Sequence, residues 1–321
     1  MTYPDIPSYI LGVTKEIWED RGISTLERYY APKIVVRSPA SVVVGNEGIM
    51  AATMATLHEL PNRQLYGEDV IWCETDQDTA LSSHRLICTA THSAGGAYGE
   101  PTGRQLTYRI IAECHVDGIV IDDEWLARDQ GAIARQMSMT PKAYAQQLIN
   151  QEGGPDKCVR PYTPSNDVQG PYRGQGNNNA WGARYADGLT RIMGRDLSVI
   201  SETYDRAVHL SLPGGEEAIG REAADRFWLG FRASFPGAEF RIDHVIGRDD
   251  TTMPPRAALR WSLHGSHEGW GMFGRPTGAE VFVMGLSHAE FGALGVEEPR
   301  LRREWVVIDE TAVWKQILLA Q

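Results

Sequence analysis

One motif occurs twice, and its spacing constrains the fold more than any other feature of the sequence. Gly99-Glu-Pro101-Thr102-Gly103 returns 175 residues later as Gly274-Arg-Pro276-Thr277-Gly278. The same offset sets Gly45 on Gly220, Glu47 on Glu222, Pro61 on Pro236, Arg85 on Arg260 and His92 on His267. Upstream the offset is 174, with Tyr30 on Tyr204 and Pro39 on Pro213. Downstream it is 180, where Glu124-Trp125-x-x-x-Asp129 meets Glu304-Trp305-x-x-x-Asp309. Solenoid units repeat every ~20–50 residues, so a period this long is domain-sized. The 321 residues read as two copies of one fold, 1–145 and 182–321, joined by a Gly/Pro/Asn-rich linker over 146–181. Any site should then appear twice or be visibly lost from one copy.

Charge and composition narrow the function. A net charge of −11 argues against a nucleic-acid surface, which needs Lys and Arg to neutralise phosphates, and against anionic membrane. No apolar run approaches the ~20 residues of a membrane helix. The start, Met-Thr-Tyr-Pro-Asp-Ile-Pro, has neither a basic segment nor an apolar stretch of signal-peptide type. Cys73, Cys88, Cys114 and Cys158 fall in no CxxC spacing. They read as free thiols of a reducing cytoplasm, and no metal is expected. Nucleotide, zinc-protease and nucleophile-elbow motifs are all missing, which leaves proton-transfer chemistry or binding without a cofactor.

Each copy begins with helical periodicity and continues with alternation. Ile10, Val13, Thr14, Ile17 and Trp18 recur at three and four; a second helix runs from Ile49 to Leu60 and stops at Pro61-Asn62. Gly220 to Phe235, closed by Pro236-Gly237, is its counterpart. Strand patterning follows in both, as in Leu259, Trp261 and Leu263. Asp117-Gly118 reads as a two-residue hairpin, which pairs His115 with Val120 and turns it away from Trp125. Helices followed by an antiparallel meander predict an α+β domain with helices against one curved sheet. The linker carries Tyr162, Tyr172 and Trp181, more aromatic than a solvated segment needs, and reads either as a flexible linker or as a lid or inter-domain strap.

Strand parity picks out the candidate side chains. His92 follows Leu86, Cys88 and Ala90 on one face, and His267 follows Leu259, Trp261 and Leu263. Each is either a hydrogen-bonded rim residue or a proton carrier. Asp129 shares a face with Trp125, and Asp309 with Trp305. Such an Asp is either a helix cap or ion-paired group, or a carboxylate raised by desolvation and suited to acid–base work. Asp69, placed by alternation beside Leu65 and Ile71, and His244, placed beside Ile242 and Ile246, rank second. Tyr30 and Tyr204 end the first helical stretch of each copy, where packing or a ligand-facing hydroxyl both fit.

Together, the two histidines, the Gly-x-Pro-Thr-Gly turn and Glu-Trp-x-x-x-Asp resemble the SnoaL-like polyketide cyclases of the nuclear transport factor 2-like superfamily. The resemblance covers about residues 8–140 and 182–321. It implies two tandem cone-shaped domains, each a curved antiparallel sheet whose helices close an apolar pocket. It also implies that the Asp of the last strand is the general acid/base, without metal or cofactor. That role falls on Asp129 and Asp309, with His92 or His267 and Tyr30 or Tyr204 as donors and Trp125 and Trp305 beside the ligand. The expected activity is acid–base conversion of a small apolar carbonyl or hydroxyl compound, as an aldol-type cyclase, isomerase, dehydratase or lyase. The alternative is a small-molecule binding protein that does no chemistry. Family members are usually homodimers, so the fused copies are expected to pack as an intramolecular pseudo-dimer, alone or within a further homodimer. Copy two also carries a five-residue insertion around Leu294 to Glu298, so copy one is the expected catalyst.

Overall fold

The computed structural model describes residues 3–76, 78–292 and 298–321. The insertion's residues 294–297 lie outside them. In the first domain, α1 (Ile6–Thr14) is capped by the Asp5 carboxylate accepting from the Ser8 amide and runs on as a π-helical turn over Lys15–Glu19. A short α2 (Leu26–Tyr29) leads into β1 (Tyr30–Ser38) and β2 (Ser41–Val44). Next come α3 (Asn46–Glu59), β3 (Gln64–Asp76), β4 (Thr79–Thr91), β5 (Gln105–Asp117) and β6 (Val120–Arg128), then α4 (Gln130–Gln136) and α5 (Pro141–Gln151).

The second domain repeats that order: α6 (Ala180–Met193), α7 (Ser198–Thr203), β7 (Tyr204–Leu212), β8 (Glu216–Ile219), α8 (Arg221–Ser234), β9 (Glu239–Arg248), β10 (Arg256–Ser266), β11 (Glu280–Gly292), β12 (Arg300–Ile308) and α9 (Glu310–Leu319). Each domain has one six-stranded sheet, ordered β2-β1-β6-β5-β4-β3 and β8-β7-β12-β11-β10-β9, antiparallel except where β1 meets β6 and β7 meets β12. These are the two tandem copies that the repeat predicts, with the cone shape that the resemblance implies.

Each sheet is buried on both faces. One face closes over its own helices. The other meets the second sheet in a seam where Ile111, Trp125 and Ala127 pack on Phe282, Met284, Leu286 and Val307. Arginines cross this seam in matched pairs: Arg260 lies 4.1 Å over the Trp125 ring and Arg85 3.6 Å over Trp305. The linker is a strap laid along the seam. Tyr162 packs on Phe282, the Tyr172 amide donates to Asp123, and the Tyr172 hydroxyl meets His244 Nε2 at 2.8 Å.

Parity needs three corrections, each with a local cause. A bulge between Gly67 and Asp69 reverses alternation in β3, so Leu65 faces the cone while Asp69 faces the seam and pairs with Arg256. A bulge at the matching place in β9 turns His244 away from Phe240 and towards the seam, 3.7 Å from Glu113. In the β5–β6 hairpin the turn residues are Gly118-Ile119, one later than read from sequence, and a bulge follows. His115 therefore pairs with Asp123 and stacks on Tyr172 at the seam.

Candidate active site

The first cone encloses a cavity of about 300 Å³. Its walls are apolar: Ile10 and Val13 of α1, Ile49 and Ala52 of α3, Leu86 of β4 and Ile110 of β5. A few polar groups face inward. Glu124, on the β6 face opposite Trp125, sits between Tyr30 and Cys114, and burial raises its carboxyl to about 7 although the Tyr30 phenol beside it pulls the other way. Burial and the nearby Glu124 hold the Tyr30 phenol well above its ordinary value, so it stays protonated. His84 also lines the cavity; burial pushes it down to about 4, so its imidazole is neutral, and its Nδ1 has no partner.

The same space in the second cone is filled. Where the first domain has Ala52, Thr53, Thr56, Leu65 and Leu86, the repeat offset gives Phe227, Trp228, Phe231, Phe240 and Trp261. Trp228, Phe231 and Trp261 are wholly buried and lie ring to ring, 5.8–6.4 Å between centroids. Trp261 finds room because the residue paired with it is Gly285, where a Cβ would come within 2.1 Å of the indole. Its first-domain counterpart is the ordinary pair Leu86 and Ile110. Glu304, the twin of Glu124, accepts from Tyr185 at 2.9 Å, Tyr204 at 2.8 Å and the Trp228 indole at 3.4 Å. Both carboxylate oxygens there face protein donors.

The motif residues divide. Asp129 and Asp309 both cap helices, accepting from the Ala132 and Ala312 amides at 2.9 Å. Asp129 also takes the Gly214 and Gly215 amides from the β7–β8 turn of the other domain, so both its oxygens are engaged, and it lies in a seam groove outside the cavity. The matching β1–β2 turn, Pro39-Ala40, is one residue shorter, with a single residue after its proline where the other turn has two glycines. Asp309 therefore lacks these two cross-domain donors, and it lines the first-domain cavity. Burial raises it to about 7, and Asp129 to about 6. Trp125 and Trp305 do share a face with their aspartates, but that face is the seam.

His92 and His267 belong to neither pocket. Each ring Nδ1 meets a threonine hydroxyl of the glycine-rich turn at 3.1 Å, Thr102 and Thr277 respectively. The histidine carbonyls accept from Gly103 and Gly278, whose φ values of +67° and +74° only glycine adopts easily. The histidines clamp this turn. Among the described residues, no group of three or more His, Cys, Asp or Glu side chains is placed to hold a metal ion, and no helix is long and apolar enough to cross a membrane.

An acid-lined open cone fused to a filled copy of itself defines a tandem protein of the nuclear transport factor 2-like fold. Residues 9–137 match the family of SnoaL-like polyketide cyclases and residues 183–295 that of SnoaL-like domains, so the chain belongs to the SnoaL-like proteins as two such domains in series. A comparison with curated proteins gives no match. Among solved structures, wild-type IdmH from Streptomyces antibioticus is 20% identical, covering 42% of this chain and 100% of that one at a TM-score of 0.37. A SnoaL-like polyketide cyclase from Agrobacterium tumefaciens is 18% identical, covering 44% of this chain and 99% of that one at 0.33.

Proposed function

We propose that the first domain is a cofactor-independent general acid/base catalyst acting on a small apolar carbonyl or hydroxyl compound. The reaction class is aldol-type cyclisation, isomerisation, dehydration or the lyase direction. The observation that carries this is Glu124, a carboxyl raised to about 7 in an apolar cavity. Near neutral pH such a group is half protonated, so it both takes and returns a proton beside a carbonyl. The Tyr30 phenol is the donor that steadies the developing enolate oxygen. Asp309, brought in by the other domain and also raised, is a second proton carrier on the cavity wall. Among the described residues, Trp228, Phe231 and Trp261 pack in the second cone at the positions where the first has its cavity, so substrate is assigned to the first cone and support to the second.

Deuterium uptake at the α-carbon of a panel of apolar cyclic ketones, followed by mass spectrometry, tests the chemistry without knowledge of the natural substrate. Uptake above the buffer rate, lost in Glu124→Gln, is the expected result. Uptake unaffected by Glu124→Gln removes Glu124 as the base. Binding with no uptake from any ketone makes the protein a carrier.

A further inference from the structure

Two cations on the cavity wall take no part in the proton transfer just described. Arg63 ends the turn between α3 and β3, and Arg128 ends β6; both line the first-domain cavity. Each has its Nε buried without a hydrogen-bond partner. Both guanidinium groups bear on the same Cys88 thiol and Tyr108 phenol, which pair across β4 and β5, so they share one end of the cone. Among the described residues, neither forms an ion pair within 4 Å, although Asp309 lines the same space. In the second domain the repeat offset replaces them with Ala238 and Ile308. At these two positions, then, cations occur only in the domain that has the cavity.

A buried guanidinium without a carboxylate is costly unless something else supplies the acceptor. Its planar fork matches a carboxylate bidentately. Glu124 and Asp309 face the same space and disfavour a dianion such as a phosphate monoester. We propose that the first-domain cavity binds an amphipathic carboxylate, with its apolar body against Ile10, Val13, Ile49 and Leu86 and its carboxylate on Arg63 and Arg128. The inference rests on this cavity being the ligand site and names the class of molecule it takes.

The probes are 2-naphthylacetate and its neutral isostere 2-naphthylacetamide, titrated into the whole unaltered protein by calorimetry. The acid is expected to bind at least about tenfold more tightly, the order of effect that one charge-assisted hydrogen bond gives. In Arg63→Gln and in Arg128→Gln, each checked for native circular dichroism, that preference should fall to within about twofold. Equal binding of the two probes, tighter binding of the amide, or binding of neither overturns the proposal, and because this comparison needs no variant, misfolding cannot hide the outcome. A carboxylate preference without deuterium uptake by any ketone would fail the catalytic reading alone. Uptake without the preference would fail only this one.

Discussion

Helices α3 and α8 have the same length, start after the same positive-φ glycine and stop before the same proline, yet one leaves space where the other removes it. Ala52, Thr53 and Thr56 of α3 face a cavity, while Phe227, Trp228 and Phe231 of α8 fill one. Burying each large aromatic is worth about 1.5–3 kcal/mol, and the second cone takes that gain at several positions. The first cone forgoes it and keeps a carboxyl that faces the cavity, a neutral imidazole and two guanidinium groups with no carboxylate partner among the described residues. The backbone tolerates both solutions. Pocket and plug are therefore side-chain choices within one architecture, and stability and ligand space have been assigned to different halves of one chain.

Exchanging the twin carboxyls is the strongest way to break this contrast. Glu124→Gln should lower the rate of α-proton exchange by about 10²–10⁴, whereas Glu304→Gln should leave it unchanged; equal losses in kcat/KM would mean both cones work. Next in size, Trp228→Ala should destabilise the protein by about 3–5 kcal/mol in denaturant titrations, because it opens a void and strips a donor from Glu304. Its counterpart Thr53→Ala should cost about 1 kcal/mol, the loss of the acceptor for the Trp18 indole. A similar cost at both sites would show that the second cone is not the stabilising half.

A pH series sharpens the comparison. Burial raises Glu304 to about 7 from an ordinary value of 4.5, so its contribution is fully present below 4.5 and is lost as the pH rises through 7. Glu304→Gln has no such titration. The stability difference between the two proteins should therefore move in the variant's favour by about 2–3 kcal/mol between pH 4.5 and 8, and a flat difference would place Glu304 in the ordinary range. The smallest effect expected is a shared one. Thr102→Val and Thr277→Val each remove one partner of a turn-clamping histidine and should cost about 1 kcal/mol alike, with proton exchange intact. Loss of exchange in either would return the histidines to the chemistry.

The repeat, the helix-then-meander order and the shared face of Trp125 and Asp129 were all legible in the sequence. Which side that face looks to was not. Alternation separates two faces but names the ligand side only when one face is polar, and here both are buried, one by helices and one by the other sheet. The inward set on β6 is Glu124, Leu126 and Arg128, one residue out of step with the residues that the family motif emphasises. The bulges at Glu68 and Asp243 leave no mark that a two-residue period detects. A readable signal did exist in the offset itself. Setting 175 against each polar or small residue of copy one exposes Thr53 against Trp228, His84 against Leu259 and Arg63 against Ala238, and that contrast locates the open cone without coordinates. The handover of Asp309 to the opposite domain leaves only the step in the offset from 174 at Pro39 to 175 at Gly45, which marks a shorter turn but not the aspartate that the longer turn holds.

That one-residue difference between the turns at Pro39-Ala40 and Pro213-Gly214-Gly215 carries a further consequence. In a homodimer every substitution is made twice, so a tryptophan that braces one subunit also blocks the other, and a glycine inserted to fasten one aspartate fastens both. Covalent fusion lifts that coupling. Each half can then answer to a different selective demand: the lengthened turn immobilises Asp129 on one side of the seam while the short one leaves Asp309 facing the cavity on the other. Subunit symmetry has become heritable asymmetry, and a gene encoding the first half alone would lose the carboxyl that the second half lends to it.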